Sequence, residues 1–207
     1  MRFIIADDHR IVRRGIKEII QDEFPTAIIE EASDSESLIN KILNQNFDLV
    51  ITDISMPGRN GLEALQQIRQ LRPSLPVIVL TIHPESQYAI RAYKNGAKGY
   101  LNKETAPDEL VSAIKHVLAG KKYITQSVAE DFFATIEKKE APLHQHLSNR
   151  EFEVLKLIAS GKSNSEIAKQ LLLSETTVST YRTRILEKLN LQSTAEIIRY
   201  AIHENLI

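Results

Sequence analysis

The sequence predicts two folded parts: an α/β domain built on a five-stranded, doubly wound parallel sheet, and a small all-α domain of four helices. Two observations carry this reading. Over residues 1–125, short apolar, β-branched runs alternate with segments of helical periodicity, the pattern of buried parallel strands joined by crossover helices. From residue 147 onward there is no strand pattern, and Ser-x-x-Glu pairs recur where helices would start. The length, 207 residues, suits two small domains better than one.

In chain order, strands are read at Phe3–Ala6, Ala27–Ala32, Phe47–Thr52, Val77–Thr81 and Gly99–Leu101. Between them, Ile11/Ile16/Ile19/Ile20, Leu38/Ile42/Leu43, Leu62/Leu65/Ile68/Leu71 and Ala89/Ile90/Tyr93 form helical stripes. A fifth stripe, Leu110/Val111/Ile114/Val117/Leu118, follows the last strand. In such a sheet, chemistry collects at the carboxyl ends of the strands. Residues 126–146 read as a linker. Val128, Phe132, Phe133 and Ile136 mark one amphipathic helix, and the charged, Pro-broken stretch from Glu137 to His146 follows it. Within 147–207, Ser148/Glu151, Ser163/Glu166 and Ser193/Glu196 can each form a reciprocal capping box. Ser174 starts a further helix before Glu175, and Gly161 ends the first. The middle pair, about 164–172 and 175–189, flanks a tight turn, which is a helix-turn-helix layout.

Charge and composition narrow the function. With 26 Lys+Arg against 27 Asp+Glu, the net charge is −1, so any nucleic-acid role rests on a local surface. Residues 1–125 are neutral, 126–146 carry −2 and the tail carries +1. The absence of cysteine excludes a disulfide framework and a thiolate metal site, and it suits a reducing compartment. The start turns acidic at Asp7-Asp8, too early for a signal-peptide core, and no apolar run reaches the ~20 residues needed to span a bilayer. A cytoplasmic protein with no membrane partner is expected.

The acidic residues converge. Asp7 and Asp8 follow the first strand and Asp53 the third, and these strands are near neighbours in a doubly wound sheet. Crowded carboxylates repel unless a cation neutralises them or protons are retained. Mg²⁺ suits such oxygen ligands. Thr81 ends the fourth strand and Lys103 follows the fifth. A hydroxyl and an ammonium facing a carboxylate–metal cluster can hold the oxygens of a phosphoryl group. Each residue alone reads as an ordinary turn or cap residue; their meeting at one sheet edge points to phosphoryl chemistry.

These residues carry a resemblance. Asp7-Asp8-His9, Asp53-Ile54-Ser55-Met56-Pro57-Gly58 with Gly61, Leu80-Thr81 and Gly99-Tyr100-Leu101-Asn102-Lys103 resemble the signature of response-regulator receiver domains, which have the flavodoxin-like fold. Leu147-Ser148-Asn149-Arg150-Glu151, Glu166-Ile167-Ala168, Thr177-Val178-Ser179-Thr180-Tyr181-Arg182 and Lys188-Leu189 resemble a LuxR-type helix-turn-helix. Together they are similar to the NarL/FixJ class of two-component transcription regulators, over nearly the whole chain except the connector. The resemblance implies residues 1–125 as receiver, 126–146 as linker and 147–207 as DNA-binding domain. It implies that Asp53 accepts a phosphoryl group from a histidine kinase and that the protein is not an enzyme in its main role. Asp8 would hold Mg²⁺ with Asp53 and the backbone carbonyl of Ser55, and Asp7 would act directly or through water. Thr81 and Lys103 would grip the phosphoryl oxygens, and Tyr100 would relay the change by rotating inward. Tyr100 also reads as an amphipathic strand residue. Pro57, Gly58 and Gly61 shape the loop after the acceptor. Ser55 and His83, two residues after Asp53 and Thr81, are expected to tune dephosphorylation, with a solvated loop histidine as the other reading of His83. His9 is read as capping or orienting the first helix.

Around the 175–189 helix, Val178, Tyr181, Ile185 and Leu189 gather on one side as the core stripe. Thr176, Thr180, Thr183 and Glu187 face away from it, flanked by Ser179 and Arg184. A recognition helix presents its N-terminal residues to base edges, so the N-terminal threonines, Thr176 and Thr177 among them, should lead. The resemblance separately implies Ser179, Thr180 and Thr183 as base-facing. Ser179 stands where many relatives carry lysine, and short hydroxyls discriminate bases weakly. Arg184 and Lys188 read as phosphate contacts or solvated face, and Arg182 as structural or phosphate-directed. A tail of charge +1 predicts weak binding by one domain, so a homodimer on promoter DNA is expected. Ile197, Ile198, Ala201 and Ile202 of the last helix offer a symmetric interface, or pack on their own domain. An aspartyl-phosphate phosphatase would carry a second Asp at the position of Ser55, and a pheromone-binding regulator would need an aromatic-rich pocket in a chain that has no Trp. A phosphorylation-independent regulator is disfavoured by the complete acidic pocket.

Overall fold

The computed structural model describes residues 1–56, 61–137 and 142–207. Pro57 and Gly58, read as shaping the loop after Asp53, lie outside the described residues, as do positions 138–141 of the charged connector. The chain forms two compact units, Met1–Ala134 and Thr135–Ile207.

The first unit alternates strand and helix: β1 (Arg2–Ala6), α1 (Arg10–Glu23), β2 (Ile28–Ala32), α2 (Ser35–Asn44), β3 (Leu49–Thr52), α3 (Gly61–Leu71), β4 (Val77–Thr81), α4 (Glu85–Lys94), β5 (Gly99–Asn102) and α5 (Ala106–Leu118). The five strands lie parallel in the order β2-β1-β3-β4-β5. Every β3 and β4 residue is buried, which is why these runs carry no polar alternation. Alternate residues Phe3, Ile5, Leu49, Ile51, Ile78 and Leu80 face one side and pack with Ile16 and Ile20 of α1 and Leu110, Ile114 and Val117 of α5. Edge strand β2 is partly exposed and acidic. Glu30 pairs with Lys41 and Glu31 with Arg13, a charged edge that discourages pairing with another chain.

One pairing has no counterpart in the sequence pattern. After α5 the chain returns to the sheet at Tyr123, which bridges Gly99 in parallel and donates its amide to the Lys98 carbonyl at 2.8 Å. Tyr93 donates its hydroxyl to the Tyr123 carbonyl at 2.6 Å, and Thr125 donates to Glu85 at 2.8 Å. From there α6 (Gln126–Glu137) begins, with Val128 buried. The division of the chain into two units falls within this helix, after Ala134.

The second unit is helical: a 3-10 turn (Leu143–His146), α7 (Asn149–Ala159), α8 (Asn164–Leu171), α9 (Glu175–Leu189) and α10 (Thr194–His203). Ser148/Glu151 and Ser163/Glu166 form full capping boxes. At α10, Ser193 caps the Glu196 amide, but Glu196 reaches the Gln192 amide instead of closing the box. The turn between α8 and α9 places Leu172 at φ 54°, a left-handed position taken without glycine, and the Leu173 amide closes it on the Ala168 carbonyl at 2.8 Å. Phe152, Leu155, Ile167, Val178, Ile185, Leu189, Ile197 and Ala201 form the core.

Candidate functional site

The strand register builds the pocket. Ala6 is level with Thr52, so Asp7 and Asp53 leave the sheet side by side, and the Asp53 amide donates to the Ala6 carbonyl at 2.8 Å. Thr81 is level with Asn102, so Lys103 emerges beside them. Lys103 Nζ lies 2.6 Å from Asp7 Oδ2 and 2.6 Å from Asp53 Oδ2. Both carboxylates are buried. Burial alone would lower the Lys103 pKa, and the hydrogen bonds to Asp53 and Asp7 outweigh it and hold the ammonium above its ordinary value. Asp53 Oδ1 accepts the Ser55 amide at 3.0 Å, and Asp7 Oδ1 accepts the His9 amide at 2.8 Å.

Asp8 is exposed and lies 2.9 Å from His9 Nδ1, which is 3.3 Å from Asp7. The sequence reads His9 as capping or orienting the first helix, and it stands at the helix start. His9 occupies the N-cap position of α1 without a side-chain cap bond, because its ring is turned to the aspartates. Asp7, Asp8 and His9 bring ligand atoms within 4.8 Å of one another, a cluster able to hold a divalent cation.

A second set of contacts links the loops after β3 and β4. Ser55 Oγ and His83 Nε2 are 2.6 Å apart, and the His83 ring stacks on Tyr88 with centroids 4.4 Å apart. Thr81 is buried, and its hydroxyl receives the His83 amide in a long 3.5 Å contact. Tyr100 is fully buried and donates to the His83 carbonyl at 3.0 Å; burial pushes its phenol far above the ordinary tyrosine range. The structure thus joins Asp7, Asp53 and Lys103 directly, and Thr81, Ser55, His83 and Tyr100 around one loop.

On α9, Val178, Ile185 and Leu189 are buried and Tyr181 half-buried, while Thr176, Ser179, Thr180, Thr183 and Arg184 are exposed. Their hydroxyls are engaged locally. Thr180 donates to the Thr176 carbonyl at 3.0 Å and Thr183 to the Ser179 carbonyl at 3.2 Å, and Thr177 and Ser174 hydroxyls lie 2.8 Å apart. Ser179 Oγ accepts from Asn164 at 3.4 Å. Two cations expected at phosphate or structural positions are held within the domain: Arg182 bonds the Thr194 hydroxyl, and Lys188 lies 2.6 Å from the buried Glu151. Ile197 and Ala201 are fully buried in their own domain, so the symmetric interface expected of four residues has only Ile202, 58% exposed, and the half-buried Ile198 to draw on.

Residues 3–115 match the family described as the response regulator receiver domain, and residues 145–201 match the luxR family of bacterial regulatory proteins. The response regulator UvrY of Escherichia coli K12 is 37% identical over 206 residues, covering 98% of this chain and 94% of UvrY. The oxygen regulatory protein NreC of Staphylococcus carnosus is 34% identical over 215 residues, covering 100% of this chain and 99% of NreC. The chain belongs to the response regulators. Among solved structures, RcsB of Salmonella enterica serovar Typhimurium, bound to promoter rprA in the presence of the phosphomimetic BeF3⁻, superposes with a TM-score of 0.67 at 30% identity, covering 97% of this chain and 98% of that one. A structure of the RcsB–DNA complex has a TM-score of 0.61 at 32% identity, covering 97% of this chain and 96% of that one.

In this response regulator, a receiver and a helix-turn-helix DNA-binding domain stand in one chain for phosphorylation-regulated control of transcription. Two further features have no direct signature in the sequence. One is the Lys188–Glu151 pair, whose partners are 37 residues apart. The other is Arg13, with a main-chain partner at Asp7. Arg10, Arg13 and Arg14 crowd the start of α1, where the helix dipole disfavours cations, and that misfit is the available signal.

The pair gives a pH prediction. Burial alone would raise the Glu151 carboxyl, and the Lys188 hydrogen bond with the Ser148 amide and hydroxyl outweighs it, holding the pKa below the ordinary 4.5. A lowered carboxyl pKa stabilises the fold fully above the unfolded value and ceases to do so as pH falls through the folded one. In the full-length protein, amide-exchange protection of α7 and α9 should therefore decline as pH drops below about 4.5. Glu151→Gln should weaken protection at pH 7 and flatten the decline, whereas an equally steep decline would assign the effect to other groups.

Proposed function

We propose that Asp53 is the phosphoacceptor of this response regulator and that a histidine kinase supplies the phosphoryl group. The observation that carries the reading is the shared Lys103 ammonium between two buried carboxylates, a pocket built for more negative charge than it can hold alone. An oxygen of Asp53 attacks phosphorus, the P–N bond to the kinase imidazole breaks, and an acyl phosphate forms. Lys103 and the Thr81 hydroxyl steady the transferred oxygens. The oxygen-rich donor set suits Mg²⁺, which Asp8, Asp53 and the Ser55 backbone carbonyl would hold, with Asp7 directly or through water; the ion would neutralise charge developing on the phosphoryl group. Ser55 and His83, hydrogen-bonded beside the acceptor, tune the approach of water and the lifetime of the acyl phosphate. Self-phosphorylation from small donors and self-dephosphorylation follow from the same pocket, and the main role is regulatory.

The output is a homodimer on double-stranded promoter DNA, in the cytoplasm and without a membrane partner. No helix among the described residues is long and apolar enough to cross a membrane. Thr176, Thr177, Ser179, Thr180 and Thr183 face the major groove. With the Thr180 and Thr183 hydroxyls donating to helix carbonyls, contacts by these two through methyl groups and water are favoured over direct donation. Arg184 reaches phosphate. Arg182 and Lys188 join it only by exchanging their partners within the domain. Ile202, with Ile198, forms the dimer contact.

Sedimentation velocity and binding to a duplex selected from a randomised pool test this. Beryllofluoride with Mg²⁺ should convert monomer to dimer and tighten duplex binding about 5- to 30-fold, the effect of one or two kcal/mol. Equal affinity with and without beryllofluoride would remove phosphorylation as the switch.

A further inference from the structure

We propose that Arg13 and Glu31 are positioning residues for the cation site, a clamp that orients the Asp7–Asp8 peptide. This rests on the metal reading of the acidic pocket. Arg13 donates through one terminal nitrogen to the Asp7 main-chain carbonyl at 2.7 Å, and through Nε to Glu31 Oε2 at 2.9 Å. Its side chain is only 13% exposed. Glu31 stands on β2, opposite Ile5 of β1, with Lys17 Nζ 3.9 Å from its other oxygen.

The clamped carbonyl matters because it belongs to the peptide joining the two aspartates. The Asp7 amide is fixed on the other side by the Ala32 carbonyl at 3.1 Å. The peptide planes on either side of the Asp7 Cα are thus each tied by one hydrogen bond, which restrains the direction in which Asp7 leaves the chain and the peptide that leads into Asp8. Asp7 is further held by Lys103 and His9, whereas among the described residues the partner of exposed Asp8 is the His9 ring at 2.9 Å. The direction of Asp8 therefore depends on the peptide behind it. A guanidinium can bond a carbonyl and a carboxylate at once through its rigid fork, which an ammonium at the end of a flexible stem does not reproduce. Outer partners of this kind hold metal ligands in place.

The test titrates Mg²⁺ into full-length protein and follows backbone amide chemical shifts, which report folding in the same spectra. Wild type should saturate, and Asp8→Asn should bind far more weakly. Arg13→Gln should weaken Mg²⁺ binding about tenfold, as loss of an outer partner does. Arg13→Lys should be nearly as weak despite keeping the charge. Glu31→Gln, which leaves Arg13 without its anchor, should fall between. A folded Arg13→Gln protein with wild-type affinity overturns the clamp, and so does full rescue by Arg13→Lys, which would leave charge as sufficient. If Arg13→Gln does not fold, Glu31→Gln decides, and unchanged affinity there overturns it. Failure of wild type to saturate, or undiminished binding by Asp8→Asn, removes the metal reading and the clamp with it. Weakening in Asp8→Asn alone removes only the clamp.

Discussion

Asp53→Ala is expected to abolish phosphoryl uptake altogether while leaving the receiver folded. Incubated with Mg²⁺ and a small phosphodonor, wild type should gain one phosphoryl group by intact mass, stable to acid and lost to hydroxylamine. The variant should gain none. Its stability should survive, because Lys103 keeps Asp7 as a partner at 2.6 Å and the pocket loses one of two buried, mutually repelling carboxylates. Loss of uptake in a folded variant therefore reads as loss of the acceptor, and unfolding would show separately. An adduct in the variant equal to that in wild type would move the acceptor to another carboxylate, Asp7 first.

The second large effect comes from a residue with no side chain. A Cβ on Gly61 would sit 2.4 Å from the Asp53 carbonyl oxygen and 2.5 Å from Ile54 Cα. Both are backbone atoms of the segment that carries Asp53, and the Gly61 amide is bonded to the Ile54 carbonyl at 3.1 Å. No rotamer change relieves the overlap, so the strand end or the first turn of α3 must move. Gly61→Ala should cost the receiver about 1–3 kcal/mol, the range of overpacked sites. It should also slow phosphorylation about tenfold or more, since small displacements of reacting groups are expensive. Gly15 of α1 is the control, because a Cβ there meets nothing within 4 Å. Gly15→Ala should be neutral or stabilise by up to about 1 kcal/mol through helix propensity. Thermal unfolding and the initial rate of labelling measure both; a Gly61→Ala protein equal to wild type in each would mean the segment yields easily.

The fold and the acidic pocket were legible because both rest on local signals that the sheet topology brings together. Buried parallel strands write themselves as apolar runs, and three of the strands end one residue before a chemical group: Ala6 before Asp7, Thr52 before Asp53, Asn102 before Lys103. Contacts across the chain were not legible. Tyr123 joins the sheet through a single bridge, too short for alternation. Lys188 and Glu151 each had a satisfactory local reading, phosphate contact and capping box, which concealed their pairing. The α9 threonines could be placed on the outer face by periodicity, but their bonds back to helix carbonyls depend on rotamers that no spacing specifies.

Tyr100 has one more consequence. The chain contains six tyrosines and no tryptophan. The Tyr100 phenol is sealed from water and tied to the His83 carbonyl, in the loop that neighbours Asp53. Near-ultraviolet absorption of a phenol shifts to shorter wavelength when it passes from such surroundings into water, and here no indole masks the band. The protein thus carries its own optical reporters, and the difference between wild type and Tyr100→Phe isolates the contribution of this buried ring in unlabelled material.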